Sequence, residues 1–142
     1  MNEPATIKRI LAMKKIAIVG LSNKPGRPSN NVGAYLKAQG YTIIPVNPGQ
    51  DVILGEKSYP QLDKIPYKID VVDIFRRSEH VASIIEKAIE INAKAIWLQD
   101  GVIDETAAKK AEDARLLVVM DDCILRQHKA QSDPNYAPAC EI

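Results

Sequence analysis

Lys15-Ile-Ala-Ile-Val-Gly-Leu-Ser-Asn-Lys-Pro-Gly-Arg-Pro-Ser29 decides the fold. A short run rich in β-branched residues ends at Gly20, the pattern of a buried strand. The loop behind it holds glycines, prolines and two cations. A helical pattern begins at about Asn30, with Ser29 standing where an N-cap would. Val32, Tyr35 and Leu36 recur at helical spacing and Gly40 ends the helix. Tyr41 to Val46 is a second strand, whose Pro45 implies an irregular exit. Strand, helix and strand in this order form a crossover, and a crossover returns the chain parallel to itself.

Outward from this unit the alternation continues. Residues 4–13 suit a preceding helix. Val52 to Tyr59 is either a small hairpin around Leu54-Gly55 or an irregular loop. Asp70 to Phe75 is a third strand. Val81, Ile84, Ile85, Ala88 and Ile89 then fall on one helical stripe, with Ser78 expected as its N-cap and Glu79 in its first turn. Lys94 to Gln99 is a fourth strand, with Trp97 expected in the core. Asp104 caps a helix reaching Ala114, and Leu116 to Met120 is a fifth strand with Cys123 beyond it. The expected fold is α/β: a Rossmann-like, doubly wound parallel sheet of about five strands in a three-layer α/β/α arrangement. Residues 1–131 form one domain and 132–142, with two prolines, a tail.

Composition narrows the partners. The 142 residues carry 19 Lys and Arg against 18 Asp and Glu, so no bulk field draws the chain to nucleic acid or an anionic membrane. One Trp, five Tyr and one Phe make a poor platform for stacking single strands. Neither a signal-peptide pattern nor a run of about 18 apolar residues is present, and a cytoplasmic protein is expected. Two cysteines and two histidines, scattered along the chain, suggest neither a disulfide framework nor a zinc set.

In doubly wound sheets ligands sit at the carboxyl ends of the strands. There the Gly20–Ser29 loop offers backbone N–H groups before a helix, the charges of Lys24 and Arg27, and the hydroxyls of Ser22 and Ser29, a combination suited to phosphate. It is not the dinucleotide fingerprint, because Ser22 and Pro25 stand where glycines are required. The second strand ends in Asn47-Pro48 rather than an acid for a ribose, which disfavours NAD. ATP is disfavoured by the lack of a Walker A lysine. After the third strand come Phe75, which can cover an adenine face, and Arg76-Arg77, cations that oppose the dipole of the helix they precede. Gln99 puts an amide at the same edge. His80 is expected on a helix surface, His128 in the tail and Cys123 as a packed thiol, so no catalytic constellation emerges.

As a set, Val19-Gly-Leu-Ser with Arg27-Pro-Ser29, Ile44-Pro-Val-Asn-Pro48, Gly55-Glu-Lys57, Asp73-Ile-Phe-Arg-Arg-Ser-Glu79, Trp97-Leu-Gln99 and Met120-Asp121 with Cys123 resemble the single-domain CoA-binding proteins. That family is similar to the CoA-binding domain of succinyl-CoA ligase α subunits and related acyl-CoA synthetases. The resemblance, from about Ile7 to Lys129, implies coenzyme A bound through the Gly20–Ser29 loop, Asn47-Pro48 and Phe75-Arg76; on that footing Arg27 is expected at the diphosphate and Arg76 near the 3′-phosphate. The chain departs from the family at Asp122, Gln127 and Arg115, where Arg, Glu and Gly are common. The resemblance implies no particular reaction, and with no catalytic constellation the expected role is a non-catalytic binder of CoA or acyl-CoA, acting as carrier, sensor or adaptor, with a protein partner or second copy compatible with it. The alternatives are a CoA-using enzyme subunit and an NAD(P)-binding redox sensor.

Overall fold

The computed structural model describes residues 1–133 and 135–136. Helix α1 (Pro4–Leu11) precedes β1 (Lys15–Val19), α2 (Pro28–Ala38) and β2 (Thr42–Val46). A hairpin of β3 (Val52–Ile53) and β4 (Glu56–Lys57) follows, resolving the 52–59 ambiguity. Then come β5 (Val71–Ile74), α3 (Val81–Glu90), β6 (Ala95–Leu98), α4 (Glu105–Asp113), β7 (Leu117–Val119) and α5 (Ile124–Ser132).

The main sheet has the order β2-β1-β5-β6-β7, and every pairing in it is parallel. The chain winds outward from β1 in one direction to β2 and in the other to β7, so the order reverses between β1 and β5. Pro45 is tolerated because β2 is an edge strand. Its carbonyl still accepts from the Tyr59 N–H at 3.0 Å, and the Asn47 N–H donates to the Tyr59 carbonyl at 2.9 Å.

Side chains alternate across the sheet. Ile10, Leu11, Val32, Leu36, Ile124 and Leu125 bring α1, α2 and α5 onto one face, against Ile16, Ile18, Val71, Trp97 and Val119. On the other, Val81, Ile85, Ala88, Ala107, Ala108 and Ala111 of α3 and α4 cover Ala17, Val19, Val72, Ile74, Ile96 and Leu98. The three layers and the parallel sheet follow the sequence pattern. Among the described residues no helix is long and apolar enough to cross a membrane.

Four local expectations are corrected. The expected start of α2 at Asn30 moves to Pro28, whose fixed φ suits a first helical position; Ser29 lies inside the helix and does not cap it. Ser78 opens a 3-10 turn, Ser78–His80, instead of capping α3. The fifth strand stops at Val119, and Cys123 stands at the N-cap position of α5. His128, expected in the tail, lies on α5, where its Nδ1 is 2.6 Å from the Tyr35 hydroxyl. Asp104 does cap α4, accepting from the Ala107 N–H at 3.0 Å. The expected tail falls outside the described residues at Pro134 and from Ala137 on, which includes Cys140.

Candidate functional site

The carboxyl ends of β1, β5 and β6 meet around two residues. Gly20 has φ +87°, and a Cβ there would stand 2.9 Å from the Phe75 carbonyl oxygen, so only glycine lets the two loops approach. Beyond Gly20 the loop folds back on itself. The Ser22 N–H donates to Ser29 Oγ at 2.9 Å, the Lys24 N–H to Ser22 Oγ at 3.1 Å, and Asn30 Nδ2 to the Ser22 carbonyl at 2.8 Å. With Ser29 turned to the loop, no side chain caps α2 and Pro28 brings no N–H of its own. The uncapped end keeps the partial positive charge of a helix N-terminus.

Three cavities run along this edge. One, of about 270 Å³, is lined by Gly20, Ser22, Arg27, Pro28, Ser29 and Phe75 at the start of α2. The second, of about 490 Å³, shares Pro28 and Phe75 with it and extends along Arg76, Arg77, Gln99, Asp100 and Gly101. The third, of about 260 Å³, lies on the α3 side among Val19, Val46, Leu62 and Ile84, with Arg76 and Lys87 at its rim. Arg76 borders both the second and the third, and Phe75 both the first and the second.

Of the residues singled out from sequence, Gly20, Ser22, Arg27, Ser29, Phe75, Arg76 and Gln99 come together in these cavities. Lys24 is exposed beside them. Asn47 and Pro48 line none of the three. The Asn47 carboxamide is engaged within the protein, donating to the Leu21 carbonyl at 3.0 Å and accepting from the Gly49 N–H at 2.8 Å, which fixes the Gly20 loop against the exit of β2. Sequence reasoning missed Leu62, Ile84 and Lys87. The helical stripe contained Ile84, but Leu62 belongs to a connecting segment that carries no periodic signal.

The outer wall of the second cavity is tied on both sides. Ser78 Oγ accepts from the Ile103 N–H at 2.9 Å, and Asp121 accepts from the Gly101 N–H at 2.7 Å. Arg126 grips both oxygens of Asp100 at 2.8 and 2.9 Å and reaches Asp122 at 3.0 Å. Gln127 donates to Asp122 at 2.9 Å, so two positions that depart from the resembled family meet each other here. The third departure, Arg115, has φ +71° at the end of α4, a conformation that glycine adopts without strain.

Buried polar groups lie behind the edge. Gln99 is 2% exposed; its Oε1 accepts from the Ile124 N–H at 3.3 Å, the first residue of α5. Cys123 is fully buried, and burial pushes its thiol up, against opposing hydrogen bonds from the Arg126 and Leu125 backbone and the Gln99 side chain. Asp73, in the middle of β5, is also fully buried, and burial alone drives its carboxyl well above the usual range. Among the described residues no three His, Cys, Asp or Glu side chains are placed to hold a metal ion.

Residues 14–129 match the CoA binding domain family. Bacillus subtilis YneT is 42% identical over 125 residues, 87% of this chain and 93% of that protein. The ADP-forming acetate–CoA ligase II of Archaeoglobus fulgidus is 31% identical over 104 residues, which are 72% of this chain but only 16% of the ligase. Among solved structures, a hypothetical protein from Pyrococcus horikoshii OT3 has a TM-score of 0.86 at 38% identity, covering 92% of each chain. The apo dinucleotide-forming acetyl-coenzyme A synthetase 1 of Ca. Korarchaeum cryptofilum has a TM-score of 0.71 at 22% identity over 81% of this chain and 28% of that one, a likeness of fold.

Proposed function

The chain belongs to the CoA binding domain family, and from that premise we propose that it binds coenzyme A, free or acylated, as a non-catalytic module along the carboxyl edge of its sheet. The carrying observation is the series of three cavities joined through Phe75 and Arg76. Each lining suits one part of a CoA molecule, and the first cavity also adjoins the third, because Gly20 stands against the Arg76 side chain. The apolar cavity at Val19, Val46 and Ile84 suits the adenine ring, with Arg76 and Lys87 beside it for the 3′-phosphate. The uncapped start of α2 and Arg27 suit the diphosphate. The long middle cavity takes the arm that leads to the sulfur.

Binding without chemistry is supported by the lining itself. Its titratable side chains are Arg27, Arg76, Arg77, Lys87 and Asp100, and Asp100 is bound by Arg126. General acid–base work needs a titrating group within reach of the reacting atom. His80 and Cys123 line none of the three cavities. A second reading, a CoA-holding subunit of a larger enzyme, is favoured by the match to one short part of an acetate–CoA ligase.

Calorimetry with CoA, dephospho-CoA, NAD and ATP tests the binding claim. CoA is expected to bind most tightly and dephospho-CoA more weakly; tighter binding of NAD than of CoA overturns the reading. Thioester formation or cleavage by the purified protein, with acetyl-CoA or with CoA, acetate and ATP, would decide for the enzymatic alternative.

A further inference from the structure

The charges of the chain balance in number but not in place. At or just before the amino ends of the strands, opposite the three cavities, stand Lys14, Lys15, Lys68, Lys94 and Arg115, with Arg9 of α1 beside them, all exposed. The acid among them, Asp70, is already engaged. It accepts from the Lys14 and Lys15 N–H groups at 3.4 and 3.1 Å and pairs with Lys94 at 3.5 Å. Glu90 and Asp113, which end α3 and α4, pair with Lys87 and Lys109. The side chains of Arg9 and Arg115 have no hydrogen bond or ion pair among the described residues.

Backbone hydrogen bonds make this edge continuous. The Asp70 N–H donates to the Lys15 carbonyl at 3.0 Å, the Lys94 N–H to the Asp70 carbonyl at 2.9 Å, and the Leu117 N–H to the Lys94 carbonyl at 3.0 Å. From β1 to β7 the edge spans about 14 Å, which about four extended residues cover. At its β6–β7 end lies a cavity of about 500 Å³. Arg9, Lys94 and Arg115 line it with half-buried Met13, Ile89 and Leu117, and no acid does.

Arg115 adds a second sign. Its φ of +71° is a left-handed conformation that strains an arginine. The strained residue is an exposed cation at a basic cavity, and strain of this kind gathers at sites that bind something from outside. Carboxylates answer the arrangement better than phosphates do. Helices α1, α3 and α4 all end at this edge, and the negative ends of their dipoles offset part of the cationic field, which disfavours a densely charged nucleic acid. The apolar floor calls for an aliphatic side chain beside the carboxylates.

We propose that the amino edge of the sheet docks an acidic, extended segment of a partner protein. Its carboxylates lie on Arg9, Lys94 and Arg115, an aliphatic side chain enters the cavity between them, and the segment runs across the strand starts toward Lys15. This surface is at the opposite end of the strands from the three cavities and leaves them open. The proposal does not depend on the CoA reading.

The test titrates the isotope-labelled full chain with a synthetic peptide of Glu-Glu-Leu repeats and follows the amide signals by NMR. Saturable shifts are expected at Arg9, Lys94 and Arg115 and not at Gly20 or Phe75, and affinity should fall as salt rises. Arg115→Gly is expected to weaken the peptide about two- to fivefold, the effect of one exposed charge, while raising the unfolding midpoint because the strain is relieved. Arg9→Gln should weaken it by a similar factor with the midpoint unmoved. No saturable shifts at this edge, or unchanged affinity in both variants, overturns the proposal. So does equal binding of the same peptide with glutamine in place of glutamate. Tighter binding of oligouridylate than of the acidic peptide would make the edge a nucleic-acid surface, and self-association in light scattering that both variants abolish would give it to a second copy; either result overturns the proposal.

Discussion

Against α3 and α4 the sheet presents Ala17, Val19, Ile44, Val72, Ile74, Ile96, Leu98 and Val118, all apolar and buried. Against α2 and α5 the same strands and their ends present Asp73 and Gln99 among Ile16, Ile18, Trp97 and Val119, with the buried Cys123 at the start of α5. The first face follows the ordinary rule for a parallel sheet covered on both sides. The second breaks it at adjacent strands. A buried group without a partner costs about 1–3 kcal/mol, against a total stability of about 5–15 kcal/mol for a domain. The apolar face is therefore the one that carries no such cost, and the exceptions on the other lie behind the cavities at the strand ends. Their cavities differ likewise: Val46 and Ile84 line one on the apolar side, while Ser22, Arg27 and Gln99 line those on the other.

Four measurements sharpen or break this contrast. Ile85→Ala, deep under α3, should cost about 2–5 kcal/mol in denaturant unfolding and leave CoA affinity of the folded protein unchanged. A large loss of affinity there would dissolve the distinction between the faces. Arg76→Ala should do the reverse. Loss of a charge-assisted hydrogen bond, about 1.5–3 kcal/mol, weakens CoA by about tenfold to a hundredfold in calorimetry with an unmoved unfolding midpoint, and the preference over dephospho-CoA disappears.

Asp73→Val should stabilise the protein at pH 7, by about 1–3 kcal/mol. Because burial raises its folded pKa, the wild-type acid holds its stability below the ordinary carboxylate range and loses it as pH rises toward the folded value. The gap between variant and wild type should thus widen from pH 4 to pH 7; a gap that narrows would mean Asp73 is ionised and paired. The smallest effect is at His128. Burial, and then the charge of Lys14, holds its pKa down, so its contribution is full above the ordinary histidine value and is lost as pH falls. Wild type should lose stability from pH 7 to pH 5 more steeply than His128→Gln, which also gives up a hydrogen bond to Tyr35 of about 1 kcal/mol.

The strands and their parallel order were legible because β-branched runs and a helical stripe are local signals. Helix α5 was not. Ile124 and Leu125 are its buried residues, and its start is held by Gln99 while Arg126 reaches Asp100, partners that stand 25 and 26 positions away. The phosphate-suited loop was legible as a composition, but the use of Ser29 and Asn47 within the fold was not, since hydrogen bonds between loops leave no periodic trace. Asp73 carried no signal of its own in the sequence, and the structure shows its carboxyl buried with no hydrogen-bond partner among the described residues.

The ties on the loop after β6, from Ser78 on one side and Asp121 and Arg126 on the other, bear on the tempo of binding. A wall set in advance has no closing step to wait for. Occupation of the middle cavity should follow a single exponential whose rate rises in proportion to ligand concentration, and the lifetime of the complex should be governed by escape alone. Severing the Arg126 clamp would let that loop drift and introduce a second, concentration-independent phase.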